Sequence, residues 1–174
     1  MHHIEITRVT LKEIQNLQKV SRQTFYETFA DQNTTEDMHK YLNQNFSETR
    51  LKKELTDPCS VFYFARLGEK VIAYLKLNFG ASQTEIKSDN ALEIERIYVL
   101  KAHQGKGAGQ LLYEQAIQVA KERNADYIWL GVWEENHRAI SFYKKNGFIT
   151  FDKHLFRLGE DVQTDIMMKL NIKD

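Results

Sequence analysis

The sequence predicts an α/β or α+β fold in which helices flank a mixed β-sheet. Three observations favour it. Residues 10–57 show mostly helical spacing of apolar side chains, residues 61–79 contain two strand-like runs joined by a turn, and residues 92–148 alternate between strands and helices. The length of 174 residues is that of one domain, so we expect a single domain over residues 1–174.

The chain is expected to begin with a strand and a helix. Residues 4–9 alternate weakly between apolar and polar side chains, which predicts the strand. Thr10 and Glu13 have the spacing of a capping box, in which two side chains bond to the first amides of a helix. Apolar residues then keep helical spacing to about Phe29.

Two further helices are predicted before the first hairpin. Thr34 or Thr35 can act as the N-cap of one helix, and Ser47 can act as the N-cap of the next. Asp57 and Pro58 should end the second of these helices, because proline lacks the amide hydrogen that a helix needs.

Residues 61–79 are expected to form a β-hairpin. Residues 61–65 are apolar and aromatic, residues 67–70 have the composition of a turn, and residues 71–79 supply the partner strand. Residues 80–90 are polar and are predicted to be a loop.

The second half of the chain is predicted to alternate strands with helices and to end in a pair of strands. These elements cover residues 92–99, 111–123, 127–132, 138–146, 148–157 and 162–170. Asn136 can cap the helix at 138–146, and Gly147 can end it.

A glycine-rich loop joins the strand at 92–99 to the helix that follows. It consists of Gln104, Gly105, Lys106, Gly107, Ala108 and Gly109, with Gln110 next. Small residues let the backbone approach a phosphate, and the helix N-terminus adds positive potential. The spacing excludes two nucleotide motifs: no Ser or Thr follows Lys106 as in a Walker loop, and Gln110 stands where a dinucleotide turn has its last glycine.

The loop spacing Q-x-x-G-x-G resembles the pyrophosphate loop of the GCN5-related N-acetyltransferases (GNATs). A second segment, W-E-E-N-H-R-A-I-S-F-Y-K-K-N-G-F, resembles the other cofactor-binding segment of that family through Asn136, Ala139, Phe142, Tyr143, Gly147 and Phe148. Along nearly its whole length the chain is similar to the bacterial PaiA-type spermidine/spermine N-acetyltransferases.

The resemblance implies a strongly twisted, mainly antiparallel sheet whose fourth and fifth strands splay apart around acetyl-CoA. It implies that the backbone of Ile97, Tyr98 and Val99 pairs with the pantetheine arm, and that one amide there stabilises the oxyanion formed during transfer. The glycine loop with Gln110 would hold the pyrophosphate. The other implied cofactor contacts are Asn136, Ala139, Phe142 and Tyr143.

Two glutamates on the strand at 92–99 are candidates for moving the proton of an amine. Glu93 and Glu95 alternate onto one face, unless a bulge turns one of them away. Either could instead form an ion pair with Arg96 or a neighbouring cation. The resemblance implies Glu95 first, because it aligns with the glutamate of polyamine acetyltransferases, whereas Glu93 aligns with the histone-type relatives.

Other roles follow from the same resemblance. Tyr143 would protonate or stabilise the leaving thiolate. Trp133, at the end of the strand at 127–132, is expected to line the acceptor pocket, whereas Trp129 is expected in the core. Glu27, with Asp31 one turn later, could bind the distal ammonium of a polyamine or simply face solvent.

Composition limits the partners. The chain carries 24 basic and 24 acidic side chains and shows no basic run, so we expect no nucleic-acid ligand. No apolar run could span a bilayer, and no signal peptide is recognisable, so the expected location is the cytoplasm, without a membrane partner. Cys59 is the only cysteine, and the scattered histidines give no metal-site spacing, so we expect no metal. The expected state is a monomer or homodimer.

The predicted activity is transfer of an acetyl group from acetyl-CoA to a primary amine, by direct attack in a ternary complex. A polyamine such as spermidine or spermine is the expected acceptor. The alternatives are a protein N-terminus, a lysine or another small amine as acceptor, or a non-catalytic regulator that binds acetyl-CoA.

Overall fold

In a computed structural model that describes residues 3–86 and 88–173, the chain forms a seven-stranded mixed sheet with helices on both faces. The strands are β1 (Ile4–Arg8), β2 (Ser60–Leu67), β3 (Lys70–Phe79), β4 (Ala91–Val99), β5 (Tyr127–Trp133), β6 (Ile149–Leu158) and β7 (Asp161–Asn171). The helices are α1 (Ile14–Phe29), α2 (Thr35–Asn45), α3 (Glu48–Leu55), α4 (Ala108–Glu122) and α5 (His137–Lys145). The predicted α/β class and its mainly antiparallel mixed sheet are confirmed.

The sheet opens between its two central strands. Its order is β1-β2-β3-β4-β5-β7-β6, and β4 and β5 are its parallel neighbours. Their pairing covers only residues 91–94 and 127–130, although β4 continues to Val99 and β5 to Trp133. The strands therefore splay after Ile94, as the family resemblance implied, and leave unpaired backbone on both sides of a gap.

The two faces of the sheet bury different cores. One face packs against α4 and α5 through a mostly aliphatic core that also contains the rings of Tyr113, Tyr143 and Phe148. The other packs against α1, α2 and α3 through both aliphatic side chains and aromatic rings. The gap between β4 and β5 therefore lies between two hydrophobic layers. Within the described ranges, no helix has the length and apolar character needed to cross a bilayer.

Three of the predicted helix N-caps, at Thr34, Ser47 and Asn136, are confirmed, and the one at Thr10 is wrong. The side chains of Thr34 and Ser47 accept hydrogen bonds from the third residue of α2 and α3. Thr10 makes no capping hydrogen bond, because a short 3₁₀ turn over Leu11–Glu13 precedes α1. Glu13 forms an ion pair with Arg66 on β2 instead, so a long-range charge competes successfully for the expected capping carboxylate.

Helix α4 begins earlier than its apolar spacing predicts. Its first residue is Ala108 rather than Leu111, and its N-cap is Gly107, with φ of +92°. Only glycine adopts this backbone conformation without strain. The glycine loop therefore turns directly into the helix, so the first helical amides belong to the loop sequence itself.

Candidate active site

A cavity of about 390 Å³ lies where β4 and β5 separate. Residues 93–98 of β4 line it from the sheet, together with Trp129 and residues 131–133 of β5. Aromatic side chains of α1 and α2 line one side, and the ends of β6 and β7 line another. The cavity therefore reaches from the acceptor-side helices into the splay, where α5 contributes Tyr143.

Glu93 lies on the cavity wall but is only 3% exposed. Its carboxylate accepts hydrogen bonds from Asn78 Nδ2 at 3.0 Å, from the Thr84 amide at 2.9 Å and from the Thr84 hydroxyl. Burial raises its pKa above the ordinary value, although these hydrogen bonds oppose the rise. Among the described residues, Glu93 has no Lys or Arg partner, so it can gain from a cationic ligand.

Glu95 has the opposite electrostatic environment. It accepts a hydrogen bond from Asn78 Nδ2 at 2.8 Å and forms ion pairs with Lys76 and, at 3.7 Å, with Arg96. Burial alone would raise its pKa, but the charges of Arg96 and Lys76 outweigh burial and lower the pKa to about 2. Glu95 is therefore permanently ionised near neutral pH.

A β-bulge brings both glutamates to the same amide. Lys76 pairs with Arg96 and Leu77 pairs with Ile94, so Glu95 is the extra residue on β4. Although the register shifts, Asn78 donates to both carboxylates. The sequence prediction that they lie together is confirmed, and the bulge re-aims Glu95 towards the cations.

Behind the two glutamates lies a buried charge network that sequence analysis missed. Glu54 on α3 bonds to Arg96 at 2.9 and 3.2 Å and to Lys76 at 3.3 Å. The only available signal was the presence of Lys76 and Asn78 at alternate positions in the otherwise apolar strand β3. Polar side chains on a buried strand need partners, but the sequence does not say which.

Tyr143 lies on α5 at the opposite wall of the cavity and is 6% exposed. Burial raises its pKa, so its hydroxyl remains protonated and able to donate. Asn136 caps the same helix by accepting from the Ala139 amide at 3.2 Å, and both residues line the cavity. Phe142 packs edge-on against Tyr113 in the core and is not part of the cavity wall.

The glycine loop lies at the C-terminal end of β4. Gln104 Nε2 donates to the Val99 carbonyl at 3.3 Å, which ties the loop to the strand end. The first hydrogen bond of α4 runs from Leu111 to Gly107, so the amides of Ala108 and its two successors have no acceptor within the helix. These free donors at a helix N-terminus fit a pyrophosphate group.

The remaining loop side chains are partly engaged elsewhere. Lys106 Nζ donates to the Ala102 carbonyl at 3.0 Å. Gln110 bonds to Glu114 at 3.4 Å and to Asn146 at 3.3 Å, so its amide group points along the helix. The backbone, rather than these side chains, is the part of the loop that is available to a phosphate.

Arg138 adds a cation to the loop that the sequence did not reveal. Its Nη1 donates to Gln104 Oε1 at 3.0 Å, and a Cβ atom added at Gly105 would lie 3.5 Å from Nη2. Arg138 lies in the first turn of α5, two residues after the capping Asn136. Its position in the first turn after the capping asparagine was the available signal.

The two predicted acceptor-binding residues lie in different places. Trp133 lines the cavity, with its ring 5.8 Å from that of Phe29. Glu27 is not on the cavity wall: its carboxylate accepts a hydrogen bond from the Lys101 amide at 2.8 Å. Trp129 is buried as predicted, and its Nε1 donates to Gln83 at 2.8 Å, although its ring also borders the cavity.

Within the part of the chain that the structure describes, no group of three or more His, Cys, Asp or Glu side chains could hold a metal ion. Cys59 is a free thiol. The cavity itself offers carboxylates, a buried tyrosine hydroxyl and the backbone of the splayed strands.

Splayed central strands and a glycine loop that leads into a helix with free first amides are the arrangement expected of an acyl-CoA-dependent transferase. The chain matches the model of the acetyltransferase (GNAT) family over residues 15–148. It belongs to that family and is an acetyl-CoA-dependent N-acetyltransferase.

Individual relatives agree with this assignment. The chain is 40% identical, over 97% of its length and 98% of the relative's, to an uncharacterized N-acetyltransferase in the pepI 3' region of Lactobacillus delbrueckii subsp. lactis. It is 25% identical, over 83% of its length and 88% of the relative's, to a spermidine N(1)-acetyltransferase of Thermoplasma acidophilum. A PaiA N-acetyltransferase of Thermoplasma acidophilum, solved with coenzyme A, shares the fold with a TM-score of 0.81 at 23% identity, covering 97% of this chain and 99% of that one.

Proposed function

We propose that this protein acetylates a primary amine of a polyamine such as spermidine or spermine. One observation carries the proposal: Glu93, a buried carboxylate with no Lys or Arg partner among the described residues, shares a cavity with Tyr143. Such a carboxylate attracts an ammonium ion into the position where acetyl transfer needs it. The likeness to a spermidine N(1)-acetyltransferase supports the choice of a polyamine.

The acceptor must lose a proton before it can attack. An alkyl ammonium ion has a pKa of about 10.4, so forming the free amine at pH 7 costs about 4.6 kcal/mol. A nearby carboxylate with a raised pKa is a better proton acceptor than an ordinary surface glutamate. Desolvation of the ammonium in the cavity also lowers its own pKa.

We assign to Glu93 the role of proton acceptor and to Glu95 the role of a fixed negative charge. The resemblance to polyamine acetyltransferases favours Glu95, but its pKa of about 2 makes it a weak base near neutral pH. The raised pKa of Glu93 matches the task better, and both carboxylates remain linked through Asn78. Glu95 then keeps the acceptor end of the cavity negative despite the neighbouring Lys76.

The leaving thiolate, in contrast to the amine, needs a proton donor. As the amine nitrogen bonds to the acetyl carbon, the carbon–sulfur bond breaks and the sulfur takes the bonding electrons. The Tyr143 hydroxyl, which burial keeps protonated, supplies a proton or hydrogen bond to that sulfur. One ammonium proton leaves through Glu93, directly or through water, before the amine attacks. The nitrogen loses a second proton as the amide forms, and this proton balances the one that Tyr143 gives to the sulfur, so Tyr143 returns to its protonated state.

Acetyl-CoA fits the other side of the splay. Leu100 donates to Ile72 on β3, so the alternating antiparallel ladder directs the backbone of Tyr98 towards β3 and that of Ile97 and Val99 towards the gap. The backbone of Ile97 and Val99 therefore offers polar groups to the pantetheine arm, and an amide there can stabilise the developing oxyanion. The free amides at the start of α4 receive the pyrophosphate. Asn136 and Ala139 lie between these regions on the cavity wall.

Two broader expectations remain part of the proposal. A single acetyltransferase domain over residues 1–174 is supported by the fact that all strands join one sheet. A cytoplasmic location is supported by the free thiol of Cys59, which suits a reducing compartment.

The test is an acceptor panel containing spermidine, spermine, diamines, lysine peptides, protein N-terminal peptides and aminoglycosides. Release of free CoA thiol and the mass of the acetylated product are measured for each. We expect polyamines to give the highest kcat/KM. Preference for a peptide would replace the polyamine assignment, and binding of acetyl-CoA without thiol release would identify a non-catalytic regulator.

A further inference from the structure

The cavity contains a second carboxylate site, which the mechanism above does not use. Asp165 on β7 pairs in register with His154 on β6, and the distance from His154 Nε2 to Asp165 Oδ2 is 3.5 Å. Both side chains line the cavity and are mostly buried, at 24% exposed for His154 and 16% for Asp165. The pair is separated in the chain from every residue assigned to acetyl transfer.

The position of this pair depends on a glycine in the neighbouring strand. A Cβ atom added at Gly131 would lie 3.0 Å from His154 Cε1 and 3.5 Å from Asp165 Oδ2. The imidazole therefore occupies the space that a side chain on β5 would fill. His154 Nδ1 is buried without a partner in the described structure, so Asp165 is the group that orients the ring.

Asp165 is free to bind a cation. Among the described residues it has no Lys or Arg partner, and His154 is its sole ion-pairing neighbour. Burial raises its pKa, and the histidine opposes that rise. Arg157 lies at the exposed rim of the cavity, whereas Arg50 is engaged by Glu54. Asp165 and Glu93 are thus the two mostly buried cavity carboxylates that form no ion pair with a Lys or Arg among the described residues.

The two carboxylates face the same space from different ends. Glu93 is in register with Trp129, and Asp165 is in register with Trp133, four positions further along the same face of β5. The offset is about 13 Å along the strands and about 10 Å across them. A ligand that reaches both carboxylates must therefore be long, and it must carry positive charge at both ends.

The wall beside Asp165 is aromatic. Trp133 contacts Phe29, and Phe156 lies 6.0 Å from Tyr41 and 6.1 Å from Phe29 between ring centres. All of these rings line the cavity. Aromatic faces attract ammonium groups and also cover the methylene segments between them. A neutral or anionic chain would lack the attraction to the two carboxylates and to the aromatic faces that an ammonium group has.

We infer that Asp165, oriented with His154, binds a second ammonium group of the acceptor while the reacting amine lies at Glu93. The inference rests on the proposed function and makes the preferred substrate a long polyamine rather than a monoamine. Asp165 is a binding residue in this assignment, and His154 is a positioning residue.

Asp165→Asn and His154→Gln are compared with wild type on spermidine, spermine and butylamine. A carboxylate–ammonium contact is worth about 10- to 100-fold in binding. We expect Asp165→Asn to lower kcat/KM for the polyamines by at least about tenfold and to leave butylamine unchanged. His154→Gln should raise KM for the polyamines with little change in kcat. Glu160→Gln, an exposed carboxylate on the β6–β7 turn, is the matched control and should change neither.

Calorimetric binding of spermidine to the CoA-loaded protein separates this inference from the proposed function. If wild type binds spermidine and Asp165→Asn does not, the subsite is supported even when no amine is acetylated. If Asp165→Asn affects all three amines equally or none of them, the subsite is wrong, although acetylation of polyamines stands. If wild type neither binds nor acetylates spermidine, both proposals fail.

Discussion

Lys76 and Glu95, on the neighbouring strands β3 and β4, form an ion pair withdrawn from water, with side chains 7% and 21% exposed. This pair fixes the charge of Glu95 and leaves Glu93, two residues away, as the carboxylate that can change its protonation state. Asn78 bonds to both and keeps them at a fixed separation. Neighbouring carboxyl groups whose pKa values are pushed apart can divide two roles between them.

The first prediction separates the two glutamates by activity. Glu93→Gln should lower kcat by about 10²- to 10³-fold, because it removes the proton acceptor without changing side-chain volume. Glu95→Gln should lower the free energy of unfolding, because Lys76 loses a buried partner. Its kcat should fall less than that of Glu93→Gln. Thiol-release kinetics and chemical denaturation measure the two effects.

Glu69→Gln, at an exposed position in the β2–β3 turn, is the control for both variants. A wild-type turnover for Glu93→Gln, together with a folded but inactive Glu95→Gln, would reverse the assignment and return the proton to Glu95.

The second prediction concerns stability and pH. The pKa of Glu93 is raised in the folded state. Its contribution to the free energy of unfolding is therefore fully present below its unfolded pKa and is lost as the pH rises through its folded pKa. Glu93→Gln should therefore be more stable than wild type at pH 8, with a difference that shrinks towards pH 4.

Glu95 should have the opposite sign. Its folded pKa of about 2 lies below the unfolded value near 4.3, so its stabilisation is present above about pH 4.3 and disappears as pH falls towards 2. Urea denaturation at pH values from about 2 to about 8 measures the effects of both glutamates. A Glu93→Gln variant that is less stable than wild type at pH 8 would contradict the unfavourable burial of Glu93.

Local sequence patterns predicted most of the elements, and long-range charges explain where they failed. Thr34 and Ser47 act as N-caps because capping needs only a side chain and an amide three residues away. The expected cap at Thr10 is wrong because a 3₁₀ turn over Leu11–Glu13 precedes α1, and the Glu13 carboxylate pairs with Arg66, far along the chain. Apolar spacing also could not place the start of α4, which is determined by the backbone of Gly107.

The same distinction holds within the site. The expectation that Glu93 and Glu95 lie together is confirmed, but they meet at Asn78 across a β-bulge rather than through simple alternation. Of the two cations that lower the pKa of Glu95, Arg96 is its neighbour in the sequence, whereas Lys76 lies on β3 and could not be predicted as a partner. Glu27 is acidic and lies on a helix that borders the cavity, as expected, but its carboxylate accepts a hydrogen bond from the Lys101 amide and does not line the cavity.

The third prediction tests the tyrosine. Tyr143→Phe removes only the hydroxyl from a buried ring that packs 5.5 Å from Phe148, so the fold should persist. We expect kcat to fall by about 10²-fold while the Kd of acetyl-CoA changes little, because the hydroxyl acts on the leaving thiolate. Single-turnover kinetics and calorimetry separate the two quantities. Unchanged turnover with intact binding would remove Tyr143 from the mechanism.

The fourth prediction assigns Arg138 to the phosphate region. Arg138 reaches Gln104 from the first turn of α5, so its guanidinium lies beside the glycine loop although it belongs to another segment. Arg138→Gln should raise the KM of acetyl-CoA by about tenfold and leave kcat unchanged, because a charge-assisted contact to a phosphate contributes equally before and during transfer. Lys145→Gln, at an exposed cation in the last turn of α5, is the control and should have no effect.

Comparing CoA with 3′-dephospho-CoA identifies the phosphate that Arg138 contacts. An equal loss of affinity for both ligands means that Arg138 binds the pyrophosphate, whereas a loss confined to CoA means that it binds the 3′-phosphate. An unchanged affinity for both ligands would show that Arg138 serves only to hold Gln104 in place.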